Sequence, residues 1–212
     1  MFRCAECKTV VCRLGRPDVA PDNCPMRTTT LTDTRDAYAD PSVREMGRVS
    51  AIVEATGYLR WTRVEETIEF AHRMGFKRLG LAFCVGLHQE ASLVTKVFEA
   101  NGLEVVSVVC KTGSIPKEEL GLTDDQKVRP GTPEVMCNPV AQARLMNAAE
   151  TQLNLILGLC VGHDSLFIKF SEAPVTCLVA KDRVLGHNPV GAIYCSQSYY
   201  RQALFEKHKS GT

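Results

Sequence analysis

Long apolar runs are missing from this chain. No stretch of its 212 residues could span a bilayer, and residues 1–30 hold no apolar segment of the kind a secretory signal requires. An excess of one charge is missing too. The formal net charge is +1, which argues against nucleic acid or an anionic membrane surface as a partner. The G-x-G-x-x-G dinucleotide fingerprint, the P-loop and the G-x-S-x-G nucleophile elbow do not occur. A cytoplasmic protein is expected, with no nucleic-acid or membrane partner. A small-molecule substrate or a redox partner fits better, and the oligomeric state stays open.

What the chain has in quantity is cysteine. There are 10 in a sequence that is 45% hydrophobic and 23% charged, long enough to bury a core without disulfide staples. In a small secreted domain an even number would read as a disulfide framework. In a reducing compartment, clustered cysteines bind metal or carry redox chemistry.

The first cluster lies in a segment, 1–30, with too few large apolar residues for a core of its own. Cys4, Cys7, Cys12 and Cys24 follow the pattern C-x2-C-x4-C-x11-C and are succeeded by Pro25. A C-x2-C pair lets two thiolates converge on one metal within a tight turn, and two further thiolates close the sphere. Four thiolates suit zinc or an iron–sulfur cluster. Metal would then supply folding energy that the segment cannot draw from packing.

From about Asp33 the pattern turns helical. Residues 41–58 place Val43, Met46, Val49, Ile52 and Val53 on one face, and Thr62 with Glu65 reads as a capping box opening a helix over 62–74. Strand and helix then alternate. Strands are expected at 78–84, 104–110, 153–160 and 175–181, with helices at 88–100, 139–150 and near 163–171, and a short terminal helix over 198–209. The strands are rich in Val, Leu and Ile without strict alternation, as in parallel sheets covered on both faces. The expected fold is α/β: an open, mostly parallel sheet with flanking helices in residues 31–212, preceded by the small Cys4 metal-binding segment. A connection at about 111–138 is too long for a plain link and reads as a functional loop or lid.

Three apolar runs each end in cysteine: Cys84, Cys110 and Cys160. In open α/β sheets, ligands sit outside the carboxyl ends of the strands. Neighbouring strands would therefore bring these thiols to one crevice, and Cys137, just ahead of a helix, would join from the same side. Such a set could hold a [4Fe-4S] cluster; buried cysteines that merely pack are the alternative. Cys177 and Cys195 lack this placement and read as core or surface thiols. His88 and His163 follow their cysteines closely, and Asp164 reads as a helix cap. The catalytic candidates are His163, Asp164, Lys181 and His187. Lys181, Asp182, Arg183 and His187 lie in "KDRVLGHNP", which reads either as a solvated loop or as a basic group that could meet an anionic substrate; Lys111 and Glu90 flank the crevice.

The stretches "CAECKTVVC…NCP", "WTRVEETIEFAHRMGFKRLGLAFCVGL", "VVSVVCKTG", "MCNP", "GLCVGHDSLF", "APVT" and "KDRVLGHNP" together resemble an uncharacterised prokaryotic family of cysteine-rich metal-binding proteins, a domain-of-unknown-function family. The resemblance spans nearly the whole chain. It implies metal binding through Cys4, Cys7, Cys12, Cys24, Cys84, Cys110, Cys137 and Cys160, and it brings no reaction. An iron–sulfur protein with two Cys4 sites is the favoured expectation. The alternatives are a non-enzymatic zinc protein with a structural N-terminal knuckle, and a thiol-redox protein.

Overall fold

The computed structural model describes residues 2–27 and 30–206. The chain divides into two compact units, Met1–Leu59 and Arg60–Thr212. The first holds four single turns of 3-10 helix (Cys4–Glu6, Val11–Leu14, Pro17–Val19, Pro25–Arg27), then helices α1 (Thr30–Ala37) and α2 (Pro41–Gly57). Asp40 starts α2 by accepting from the Ser42 and Val43 amides, and Pro41 occupies the first helical position, where its missing N–H costs nothing.

The second unit opens with α3 (Arg63–Arg73). Its capping box forms as the sequence suggests, with Glu65 accepting from the Thr62 amide at 2.7 Å. Then follow β1 (Arg78–Phe83), α4 (His88–Ala100), β2 (Glu104–Val109), α5 (Pro139–Ala148), β3 (Leu153–Leu157), α6 (His163–Phe170), β4 (Val175–Val179) and α7 (Val190–Tyr194). All strand pairs are parallel and the order is β2-β1-β3-β4. The chain runs outward from β1 to β2 and then returns to add β3 on the other side of β1. The ends of β1 and β3 therefore form a topological switch point.

Both faces of the sheet are covered. Leu79, Leu81 and Phe83 of β1 pack with Leu153, Leu155 and Leu157 of β3 beneath Ala71 of α3 and Ala91 and Phe98 of α4. Ala82 and Ile156 point the other way, against Ala143 and Met146 of α5 and Phe167 of α6. Strand β3 is buried throughout, while the outer strands β2 and β4 are half-exposed. Gly80 has a packing reason to lack a side chain: a Cβ there would press on Asn154 Oδ1 and stand 2.6 Å from Met146 Sδ.

Most boundaries fall within two residues of expectation, and two differ by more. Strand β3 stops at Leu157, not at 160, because Gly158 takes φ +65° and turns the chain out of the sheet. Among the described residues of the expected terminal helix, 198–200 are turns and Gln202–Glu206 is a π-helical turn; residues 207–209 lie outside the described residues. Among the described residues no helix is long and apolar enough to cross a membrane.

Candidate functional site

Strand periodicity puts Cys84 and Cys110 side by side. Phe83 of β1 is in register with Val109 of β2, so the next residue of each strand falls on the same face, the one covered by α5 and α6. The Cys110 amide continues the ladder to Phe83 O at 2.9 Å, and the Val85 amide donates to Cys110 Sγ at 3.4 Å. Both cysteines are buried.

Cys137 arrives by a longer route. The connection after β2 leaves the sheet and closes on its own start. Pro116 and Val135 form an antiparallel bridge, the Met136 amide donates to Ile115 O at 2.8 Å, and the Asn138 amide donates to Cys110 O at 2.7 Å. A Lys117–Glu134 ion pair and the amides of Val128 and Arg129, donating to the Glu134 carboxylate, tie the excursion internally. Asn138 then caps α5 through the Ala141 amide, with Pro139 at the first helical position. The result sets Cys137 Sγ 3.8 Å from Cys110 Sγ, across 27 residues of chain. The long loop is thus a closed excursion whose base delivers a thiol.

Cys160 follows β3 by three residues and receives Arg183 Nη2 on its Sγ at 3.0 Å. The other three thiols interact with one another. Cys110 Sγ lies 3.8 Å from Cys137 Sγ, and Cys84 is its neighbour across the β1–β2 register. Its position between two sulfurs, together with burial, pushes the Cys110 thiol well above its usual value. The same contacts act in reverse on the flanking thiols. Cys84 is pulled down to about 4 by Cys110, against burial, with help from the Gly86 amide and Lys181. Cys137 is pulled down to about 5 by Cys110, again against burial, with help from Lys111 and His163.

The cations come from two loops. Lys111 follows Cys110 directly and donates to Val135 O at 2.5 Å. Lys181 and Arg183 come from the turn after β4. Asp182 shapes this turn by accepting from the Val184 and Leu185 amides, and His187 closes it by accepting from the Asp182 amide at Nδ1, 3.1 Å away. His187 is therefore a turn anchor and does not reach the thiols through that nitrogen. His163 begins α6 beside Cys137, and its buried Nδ1 has no hydrogen-bond partner. Asp164 is not the cap expected from the sequence. Gly162, at φ +84°, holds that position, and the Asp164 carboxylate accepts from the next amide, Ser165, at 2.8 Å. His88 packs edge-on to Phe83 over the other face of the sheet, and Glu90 is exposed. Cys177, in the middle of β4, and Cys195, after α7, are exposed.

Gln142, fully buried on α5, was not singled out by its sequence. Its Nε2 donates to Val108 O at 2.7 Å and to Phe83 O at 3.3 Å, joining the strand ends that carry Cys84 and Cys110. Its Oε1 has no partner. A lone glutamine in a helix gives no signal of such a role.

In the first unit, Cys4, Cys7 and Cys24 line one cavity of about 320 Å³ together with Arg3 and Lys8; Cys12, exposed, does not line it. The Cys7 thiol is lowered by a hydrogen bond with Thr9 and by the Thr9 and Val10 amides. Among the described residues no three Cys, His, Asp or Glu side chains stand in the closed arrangement of a ligand set for one ion. The donor chemistry nevertheless suits thiophilic metal. With Zn–S near 2.3 Å, two thiolates of a tetrahedral site lie about 3.8 Å apart, which matches the Cys110–Cys137 separation.

Residues 24–178 match the family model described as "Protein of unknown function (DUF1847)", a span that includes Cys24 and all four cysteines of the crevice. Over 205 residues, 97% of this chain and 99% of its counterpart, the sequence is 40% identical to the uncharacterised protein MJ0455 of Methanocaldococcus jannaschii. A match over most of the chain and a relative of nearly equal length agree: the chain belongs to the DUF1847 family.

Proposed function

We propose that this protein binds metal through thiolates. An iron–sulfur cluster would be held by Cys84, Cys110 and Cys137 with Cys160 beside them, and a second thiolate site, for iron–sulfur or zinc, by Cys4, Cys7, Cys12 and Cys24. The observation that carries the reading is the meeting of Cys84, Cys110 and Cys137. Cys84 follows β1, while Cys110 and Cys137 stand at the two ends of the long connection after β2; Cys110 lies 3.8 Å from Cys137 and beside Cys84 across the β1–β2 register. Buried cysteines kept only for packing need neither mutual contact nor cations. Here Lys111, Lys181 and Arg183 all face these sulfurs, and cations favour the thiolate, the form that ligates metal. Bound there, a cluster would supply one-electron transfer or, with an exchangeable position, a Lewis-acidic iron.

The test is the visible spectrum of anaerobically purified protein, with iron, sulfide and zinc counted on the same sample. Two [4Fe-4S] clusters predict about eight iron and eight sulfide per chain. A colourless protein with zinc alone would replace the iron–sulfur reading by a zinc protein. A metal-free protein would leave the thiol-redox reading, which the Cys110–Cys137 separation of 3.8 Å favours. In that chemistry the two thiols become a disulfide, and two electrons and two protons pass to an external oxidant such as another disulfide.

A further inference from the structure

The thiol crevice carries more positive charge than its carboxylates answer. Among the described residues none of the ion pairs involves Lys111, Lys181 or Arg183. The turn that presents two of them is fixed: Asp182 spends its carboxylate on the Val184 and Leu185 amides, and His187 locks the turn from the other end. Lys181 is drawn across the end of β3, where an added Cβ on Gly158 would stand 3.5 Å from its Cε and Nζ. That is ordinary contact distance; the side chain a Cβ at Gly158 would strike is Leu87, so the glycine serves the turn and Leu87, and the distance only places Lys181 near the end of β3. Arg183 sits on Cys160 by a single contact through Nη2, so its planar fork, with five N–H groups, is not filled by one sulfur. His163 adds a buried nitrogen without a partner beside Cys137.

We infer that Lys181 and Arg183 form a subsite for a small oxoanion, a carboxylate or phosphate group, next to the thiols. The chemistry is that of a guanidinium fork paired with a point-charge ammonium, which binds an oxoanion by charge-assisted hydrogen bonds. Its place outside the carboxyl ends of β1 and β3 is where open α/β sheets hold ligands. Cys160, which alone of the four sulfurs meets Arg183 rather than another thiol, borders the subsite. The inference goes beyond metal binding, because the anion site is built from side chains that are not metal ligands.

The experiment is isothermal titration of the full chain, purified anaerobically, with sodium malonate and sodium phosphate at constant ionic strength. Metal is counted on each sample. Binding of either anion is expected; the preferred one tells a carboxylate source from a phosphate source. Arg183→Gln and Lys181→Gln should each weaken it about tenfold or more, the usual loss of a charge-assisted pair. Arg183→Lys should retain part of it, which separates loss of charge from misfolding. Lys96→Gln, an equal charge change on the exposed face of α4, should leave it unchanged. The inference is overturned if neither anion binds, or if both glutamine variants bind as the wild type does. It is also overturned if those variants lose metal while the folded protein's anion affinity stays the same, for the cations would then only balance the thiolates. Anion binding by a metal-free wild type would sink the metal reading and keep this one.

Discussion

Gln142 shows how a single side chain can hold a site without touching its chemistry. Its amide joins Val108 O and Phe83 O, one residue short of Val109 and Cys84. Gln142→Ala removes both hydrogen bonds and leaves two buried carbonyls without that partner. The expected loss is about 1–3 kcal/mol, read by denaturant unfolding, with faster modification of Cys84 and Cys110 by a thiol reagent. A similar argument applies to Gly80. Ala there forces Cβ onto Asn154 Oδ1, which is already engaged with Thr151 Oγ1 at 2.7 Å, and onto Met146. We expect a loss of about 1–3 kcal/mol from overpacking, seen as a lowered Tm without a change of fold. At this scale the cysteines were legible because three apolar runs each end in one. Gln142 and Gly80 were not, since their roles depend on which helix crosses which strand.

At the scale of elements, the connection from Lys111 to Asn138 decides where Cys137 lies. Its ends are bound together, so its length costs little in closure entropy. Glu134 is the internal tie: the Lys117 ammonium, and then the Arg129 and Val128 amides, hold its carboxyl below the usual range. A carboxyl lowered in the folded state stabilises that state above its ordinary pKa, near about 4, and the stabilisation fades as pH falls through the lowered folded value. Amide protection within 111–138, taken relative to intrinsic exchange, should therefore fall below about pH 4, ahead of protection in β1 and β3. Glu134→Gln should raise loop exchange at neutral pH and flatten its pH response. Equal exchange in the wild type and the variant would contradict this role. The sequence announced the loop by its length and composition, and Asn138-Pro139 announced the helix start. It could not announce the closure, which rests on an isolated bridge and a long-range ion pair. The expected run of β3 to Cys160 failed for a local reason: Gly158 inside an apolar stretch is a turn, not strand filler.

At the scale of the molecule, the two cysteine groups fall in different compact units, Cys4, Cys7, Cys12 and Cys24 in the first and Cys84, Cys110, Cys137 and Cys160 in the second. Under the proposed function the sites should be chemically separable. Cys7→Ser should empty the first and leave the second loaded, and each variant should keep the circular dichroism of its untouched unit. The alternation of strand and helix made the sheet readable from sequence, and the strand order β2-β1-β3-β4 supplied what sequence could not, the adjacency of Cys84 and Cys110.

The most direct measurement is the iron and sulfide content of Cys110→Ser, purified anaerobically beside the wild type, because Cys110 lies between Cys137, 3.8 Å away, and Cys84, its neighbour across the β1–β2 register. The proposal predicts that the variant loses about four iron and four sulfide per chain and keeps the remainder. Iron and sulfide unchanged from the wild type would contradict it.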